Sequence, residues 1–92
     1  MEHLSIKEIS ERLSEIEGWE LNGNEITKEF SFDSFKEAME FVNEVANESE
    51  RQSHHPEIFI RFNKVTINLT THDANGVTHE DFKLAKIIEQ MV

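Results

Sequence analysis

Apolar residues recur every three or four positions in three stretches of this chain, and every second position in the stretches between them. Ser5-Ile6-Lys7-Glu8 has the form of a capping box. Ile6, Ile9, Leu13 and Ile16 follow at helical spacing, and Gly18 supplies a stop. Trp19 to Leu21 and Glu25 to Phe32 then read as two strands around Asn22-Gly23, a hairpin turn signal. Ile26, Phe30 and Phe32 share one face of the second strand.

A second capping box, Ser34-Phe35-Lys36-Glu37, opens a helix whose apolar stripe carries Phe35, Ala38, Met39, Val42, Val45 and Ala46. Phe41 falls off that stripe, either as a subunit contact or as a lone exposed ring. After Pro56 the period becomes two. Ile58, Ile60 and Phe62 alternate with Glu57, Phe59 and Arg61; Val65, Ile67 and Leu69 alternate with Thr66, Asn68 and Thr70. A last helix begins near Thr78, with Asp81 at its third position. Its stripe is Phe82, Ala85, Ile88, Met91 and Val92, widened by Leu84 and Ile87. The order α-β-β-α-β-β-α predicts an α+β fold: an antiparallel four-stranded sheet with three helices packed on one face.

The second hairpin brings histidines together. With Asn63-Lys64 as a two-residue loop, Phe62 faces Val65, Ile60 faces Ile67 and Ile58 faces Leu69. A one-residue slip would put half of these in water. The same ladder, extended, sets Pro56 against Thr71 and His55 against His72, with opposed Cβ atoms roughly 4.5–5.5 Å apart. His54 is the chain neighbour of His55. The remaining histidines, His3 and His79, sit in charged terminal or capping contexts and read as surface residues.

Composition narrows the chemistry. With 92 residues the chain is expected to form one domain with a modest core, which favours an oligomer. It has no cysteine, so disulfides and thiolate metal sites are excluded. The net charge of −10 comes without any cluster of Lys or Arg, which argues against nucleic-acid and anionic-membrane partners. No apolar run approaches a bilayer span of roughly 20 residues, and the N-terminus is charged and amphipathic; a cytoplasmic location is the expectation.

Three imidazoles at one hairpin mouth admit four readings. A metal site is opposed by the opposite directions of adjacent side chains on an extended segment and by the lack of an HExxH or Cys/His framework. A nucleophilic triad lacks its nucleophile in a recognisable motif. A structural hydrogen-bonded cluster remains open. So does general acid–base chemistry, because imidazole gives and takes protons near neutral pH without a cofactor.

The run Glu50-Arg51-Gln52-Ser53-His54-His55-Pro56, then Phe62, Thr71-His72 and Asp81, resembles the signature of the pterin-4a-carbinolamine (4a-hydroxytetrahydrobiopterin) dehydratases. Three residues separate Glu50 from His54, five Pro56 from Phe62, nine Phe62 from His72 and eight His72 from Asp81. Gly18-Trp19, Asn63-Lys64-Val65 and Ile88-Glu89-Gln90 are also similar to the family, so the resemblance covers nearly the whole chain and implies one such domain over residues 1–92. Ile58 departs from it, standing where several members carry Trp.

The resemblance implies a metal-free and cofactor-free hydro-lyase that removes water from the 4a-carbinolamine to give the quinonoid dihydropterin. His54 and His72 match the proton-transferring histidines, and His55 the one that binds and orients substrate. Pro56, Thr71, Asp73 and Ala74 fall in the segments that line the family's pterin pocket. Glu50 and Asp81 match supporting acidic positions. For Asp81 the choice is between capping a helix and orienting a histidine. Core packing is the plain reading for both Phe59 and Phe62, and Phe62 is read as a core residue. The resemblance also implies homodimers or homotetramers formed through sheet edges and helix packing. Two other functions are compatible with it: a dimerisation cofactor acting by protein contact, and an enzyme acting on a different pterin.

Overall fold

The computed structural model describes residues 2–92. Its elements are α1 (Ile6–Leu13), β1 (Glu20–Asn22), β2 (Glu25–Ser31), α2 (Phe35–Gln52), β3 (Glu57–Arg61), β4 (Lys64–Leu69), the 3₁₀ turn η1 (His72–Ala74) and α3 (His79–Glu89). The four strands form one sheet in the order β1-β2-β4-β3, every neighbouring pair antiparallel. The expected α+β architecture is therefore the observed one.

All three helices contribute to a core on one face of the sheet. Ile26 and Phe30 of β2 and Val65, Ile67 and Leu69 of β4 meet Ile9, Ala38, Phe41, Val45, Phe82, Leu84, Ala85 and Ile88. Fully burying each Val, Leu, Ile or Phe contributes about 1.5–3 kcal/mol relative to leaving it exposed. Trp19 closes one end, edge-on to Phe30, and its indole N–H donates to Glu89. The first hairpin turns through Gly23-Asn24, since Asn22 pairs with Glu25. Gly23 has φ +63°, which glycine adopts without Cβ strain.

The three helices start at the expected caps, but the full box closes only on α1 and α3. Ser5 and Glu8 form a reciprocal box on α1, and Thr78 and Asp81 form one on α3. Ser34 accepts from the Glu37 N–H at α2. The buried stripe of α2 keeps Ala38 and Val45 of the expected one and otherwise differs from it. It is Ala38, Phe41, Val45 and Ser49, and Phe41 packs against Phe30 and Phe32 at ring separations of 4.8 and 5.0 Å. Phe41 is thus core, not a subunit contact, while Phe35 and Ala46 are exposed. Ile6 and Val92 are likewise exposed rather than part of a buried stripe.

The register of the second hairpin differs by two residues from the predicted one. Ile60 pairs with Val65 and Ile58 with Ile67, so the loop is Phe62-Asn63. A two-residue shift keeps every side chain on its face, so the apolar pattern cannot distinguish the two registers. Asn63 decides between them. Its carbonyl accepts from the Phe32 N–H and its side-chain amide donates to the Phe32 carbonyl, fixing it in the turn at the end of β2. Phe62 consequently sits at the hairpin tip with φ +52° and is 68% exposed, and Phe59 is exposed on the other face. Neither is a core residue.

Candidate active site

Two chain reversals aim the histidines. At the C-terminus of α2, Ser53 adopts the left-handed conformation (φ 52°, ψ 40°), and the His54 N–H returns to the Ser49 carbonyl. This terminates the helix and turns His54 back toward the core. Pro56 then holds His55 away from the helical region and starts the extended path into β3. On the facing segment, Thr71 and Gly76 bridge through paired backbone bonds of 2.9 and 3.4 Å, closing the loop that carries η1. His72 is the first residue of that turn and is exposed.

The histidines converge without the predicted opposition. The observed register, extended past Pro56, would set His54 opposite Thr71 and His72 opposite Ser53. All three nevertheless border one recess of about 240 Å³, lined by Ser53, His54, His55, Thr70, Thr71, His72 and Asp73. Pro56 and Ala74 flank it in the chain without lining it, and Ala74 is buried. Ser53 and Thr70 line it although no sequence pattern singled them out; only adjacency to His54 and Thr71 could have suggested them.

Each of the adjacent histidines meets a carboxylate. His55 Nε2 bonds to Glu50 on the last turn of α2, and both side chains are largely exposed. His54 Nε2 lies 2.5 Å from Asp81 Oδ1, with the His54 side chain 13% exposed and Asp81 fully buried. Asp81 Oδ2 accepts from the Thr78 N–H and from the Thr71 hydroxyl, both at 2.9 Å. The Thr71 and Thr78 hydroxyls are 2.7 Å apart. Capping α3 and bonding a histidine are therefore both done by Asp81, one carboxylate oxygen for each.

The arrangement offers an imidazole braced from behind by a buried carboxylate, a second on an exposed turn across the recess, and a third at its rim. Such an array suits the delivery of one proton and the removal of another.

The pattern of the pterin 4 alpha carbinolamine dehydratase family matches residues 2–91. A provisionally named pterin-4-alpha-carbinolamine dehydratase of Sulfurisphaera tokodaii is 47% identical over 92 residues, covering 100% of this chain and 99% of the relative. One from Roseiflexus sp. is 51% identical over 89 residues, covering 97% and 96%. Among solved structures, a transcriptional coactivator/pterin dehydratase from Brucella melitensis superimposes with a TM-score of 0.93 at 36% identity, over 97% of each chain. A pterin dehydratase-like RuBisCO assembly factor of the alpha-carboxysome shares the fold, with a TM-score of 0.69 at 20% identity over 83% of this chain and 90% of that one. The chain belongs to the pterin 4 alpha carbinolamine dehydratase family.

Proposed function

We propose that this chain is a dehydratase that eliminates water from a 4a-hydroxytetrahydropterin to give the quinonoid dihydropterin. The observation that carries this reading is the convergence of His54, His55 and His72 on one recess, with His54 braced by a buried carboxylate. In the reaction the C4a–O bond breaks as the hydroxyl is protonated, and the N5 proton is removed. The electron pair of the N5–H bond forms the new C4a=N5 double bond, and water leaves. His54 and His72 exchange these two protons, and His55 at the rim holds the pterin. Backbone groups of Ser53–His55 and Thr70–Asp73 suit the donor–acceptor edge of a pterin ring. Positioned acid and base groups contribute about 10²–10⁴-fold to such a step. The test is incubation of the protein with freshly generated 4a-hydroxytetrahydropterin, followed by the absorbance of the dihydropterin. A rate no faster than buffer overturns the reading, and comparison of pterins with different side chains ranks the substrates.

The proposal extends to assembly. Among the described residues β3 is paired on one side only, by β4, and it carries exposed Phe59 and Ile60 beside the exposed Phe62. An open apolar strand edge is a template for pairing, and a second copy of this chain is the proposed partner. The sedimentation coefficient should be that of a dimer or larger and should fall in Phe59→Glu; a wild-type monomer at micromolar concentration overturns self-association.

A further inference from the structure

We propose that Asp81 is a positioning residue that commits His54 to one working nitrogen, Nδ1, and that Thr71 holds Asp81 in the orientation that does so. The identity of the proton moved rests on the dehydratase reading; the state of the ring does not.

The assignment follows from counting protons in a buried network. Asp81 is fully buried and has three hydrogen-bond partners: two donors, the Thr78 N–H and the Thr71 hydroxyl, and the ring nitrogen Nε2 of His54. An ionised carboxylate only accepts. The hydroxyl of Thr71 has one proton, which it gives to Asp81 Oδ2, so the Thr78 hydroxyl must be the donor in the Thr71–Thr78 bond. Thr78 Oγ1 in turn accepts from the Glu80 N–H, which is the helix cap. Polarity therefore runs one way, from the first turn of α3 through Thr78 and Thr71 to Asp81. With Oδ2 receiving two donors, Oδ1 is left for His54, and Nε2 must carry the proton. A neutral ring then has its lone pair on Nδ1. Whether His54 accepts or donates during turnover, the proton passes through Nδ1, because Nε2 is held. A hydrogen bond to one ring nitrogen selecting the state of the other is the general behaviour of braced histidines.

One consequence is that the side chain of Thr71 is committed inward. Its hydroxyl serves the carboxylate behind the site, so the contribution of Thr71 to a ligand comes from its backbone. A second is that the capping box of α3 is part of the site: Thr78 and Asp81 start the helix and orient the histidine with the same atoms.

Nitrogen-15 spectra of the full chain labelled at histidine test this directly, above the pH at which the rings become neutral. The wild-type His54 signals, identified by their loss in His54→Ala, should show a protonated Nε2 and a bare Nδ1. A protonated Nδ1 overturns the proposal, and this reading needs no altered residue to fold. Asp81→Asn should invert the pattern. The amide oxygen stays with Thr78 and Thr71, so the amide nitrogen faces His54, and Nε2 must become the acceptor. The same variant should lose about 10²–10⁴-fold in kcat with KM nearly unchanged, the scale seen when a braced histidine is forced into the wrong tautomer. A folded Asp81→Asn with an unaltered His54 pattern overturns the proposal. Thr71→Val should lower kcat about tenfold, the scale of one hydrogen bond to a charged group, and Thr71→Ser should restore it; equal losses in both variants overturn the role of Thr71. A wild-type protein with the expected spectrum and no dehydratase activity would remove the reaction and keep the positioning. Activity with the opposite spectrum would do the reverse.

Discussion

His54 and His55 are consecutive residues, each bonded through Nε2 to a carboxylate, yet they occupy different physical worlds. The Glu50–His55 pair reaches across the exposed end of α2, with side chains 61% and 77% exposed for His55 and Glu50. Water screens the pair and competes for both partners, so it contributes little to stability. The His54–Asp81 pair links residues 27 positions apart, and Asp81 has no exposure. There every donor and acceptor must be matched, because an orphaned buried polar group costs about 1–3 kcal/mol. The same two side-chain types thus serve as an adjustable arm in one case and a fixed brace in the other. A fixed brace suits proton transfer, which needs a defined nitrogen at a defined place. An adjustable arm suits holding a ligand at the rim.

The largest expected effect separates the two histidines by kinetics. His54→Ala and His72→Ala should each lower kcat by about 10²–10⁴-fold, whereas His55→Ala should act mainly on KM. Steady-state rates with generated carbinolamine check this, and a His55→Ala defect confined to kcat would break the contrast. Next comes stability. Asp81→Ala removes the cap of α3 and strands Thr78, Thr71 and His54, and should cost about 3–5 kcal/mol by urea denaturation. That is a large part of the total for a domain of this size. Glu50→Ala, its exposed counterpart, should change stability by no more than about 0.5 kcal/mol. Similar losses in the two variants would mean that burial does not separate the pairs.

The smallest effect concerns α1, whose cap is the exposed relative of the one at α3. The Ser5 backbone N–H, and then the Ser5 hydroxyl, hold the Glu8 carboxyl below its ordinary value. A carboxylate with a lowered folded-state pKa stabilises fully above its unfolded value, and that contribution is lost as the pH falls through the folded one. The stability difference between wild type and Glu8→Ala should therefore be present at neutral pH and close in acid below the carboxylate range. A difference that grew in acid would contradict the assignment.

Element types and most helix starts were legible in the chain. Ser5, Ser34 and Thr78 are local signals, acting on backbone N–H groups within three residues. The burial of Phe41 is not legible, because a stripe on Ala38 and Val45 widens toward Phe35 and Met39 as readily as toward Phe41; the sheet surface chooses the side. Phe62 shares the period of Ile58 and Ile60, while its place in the turn depends on Asn63 bonding to Phe32, 31 positions away. The convergence of the three histidines follows even from a register two residues out. It survived because a shift of two preserves faces and moves residues along the same hairpin end.

By itself the sequence determined the order of helices and strands, the buried faces of β2 and β4, the caps, and the spacing by which the family is known. These follow from interactions within a few residues and from the fixed periods of helix and strand. Only the tertiary structure decided the register of β3 on β4, the face that α2 buries, and the partner of each histidine. Those choices join segments far apart in the chain, and the energy separating the alternatives arises in packing and in buried hydrogen bonds that exist only once the segments meet. Asp81 stands at the junction of the two. Its place three residues after Thr78 marks a helix start in any sequence, and its second oxygen found His54 only when the chain had folded.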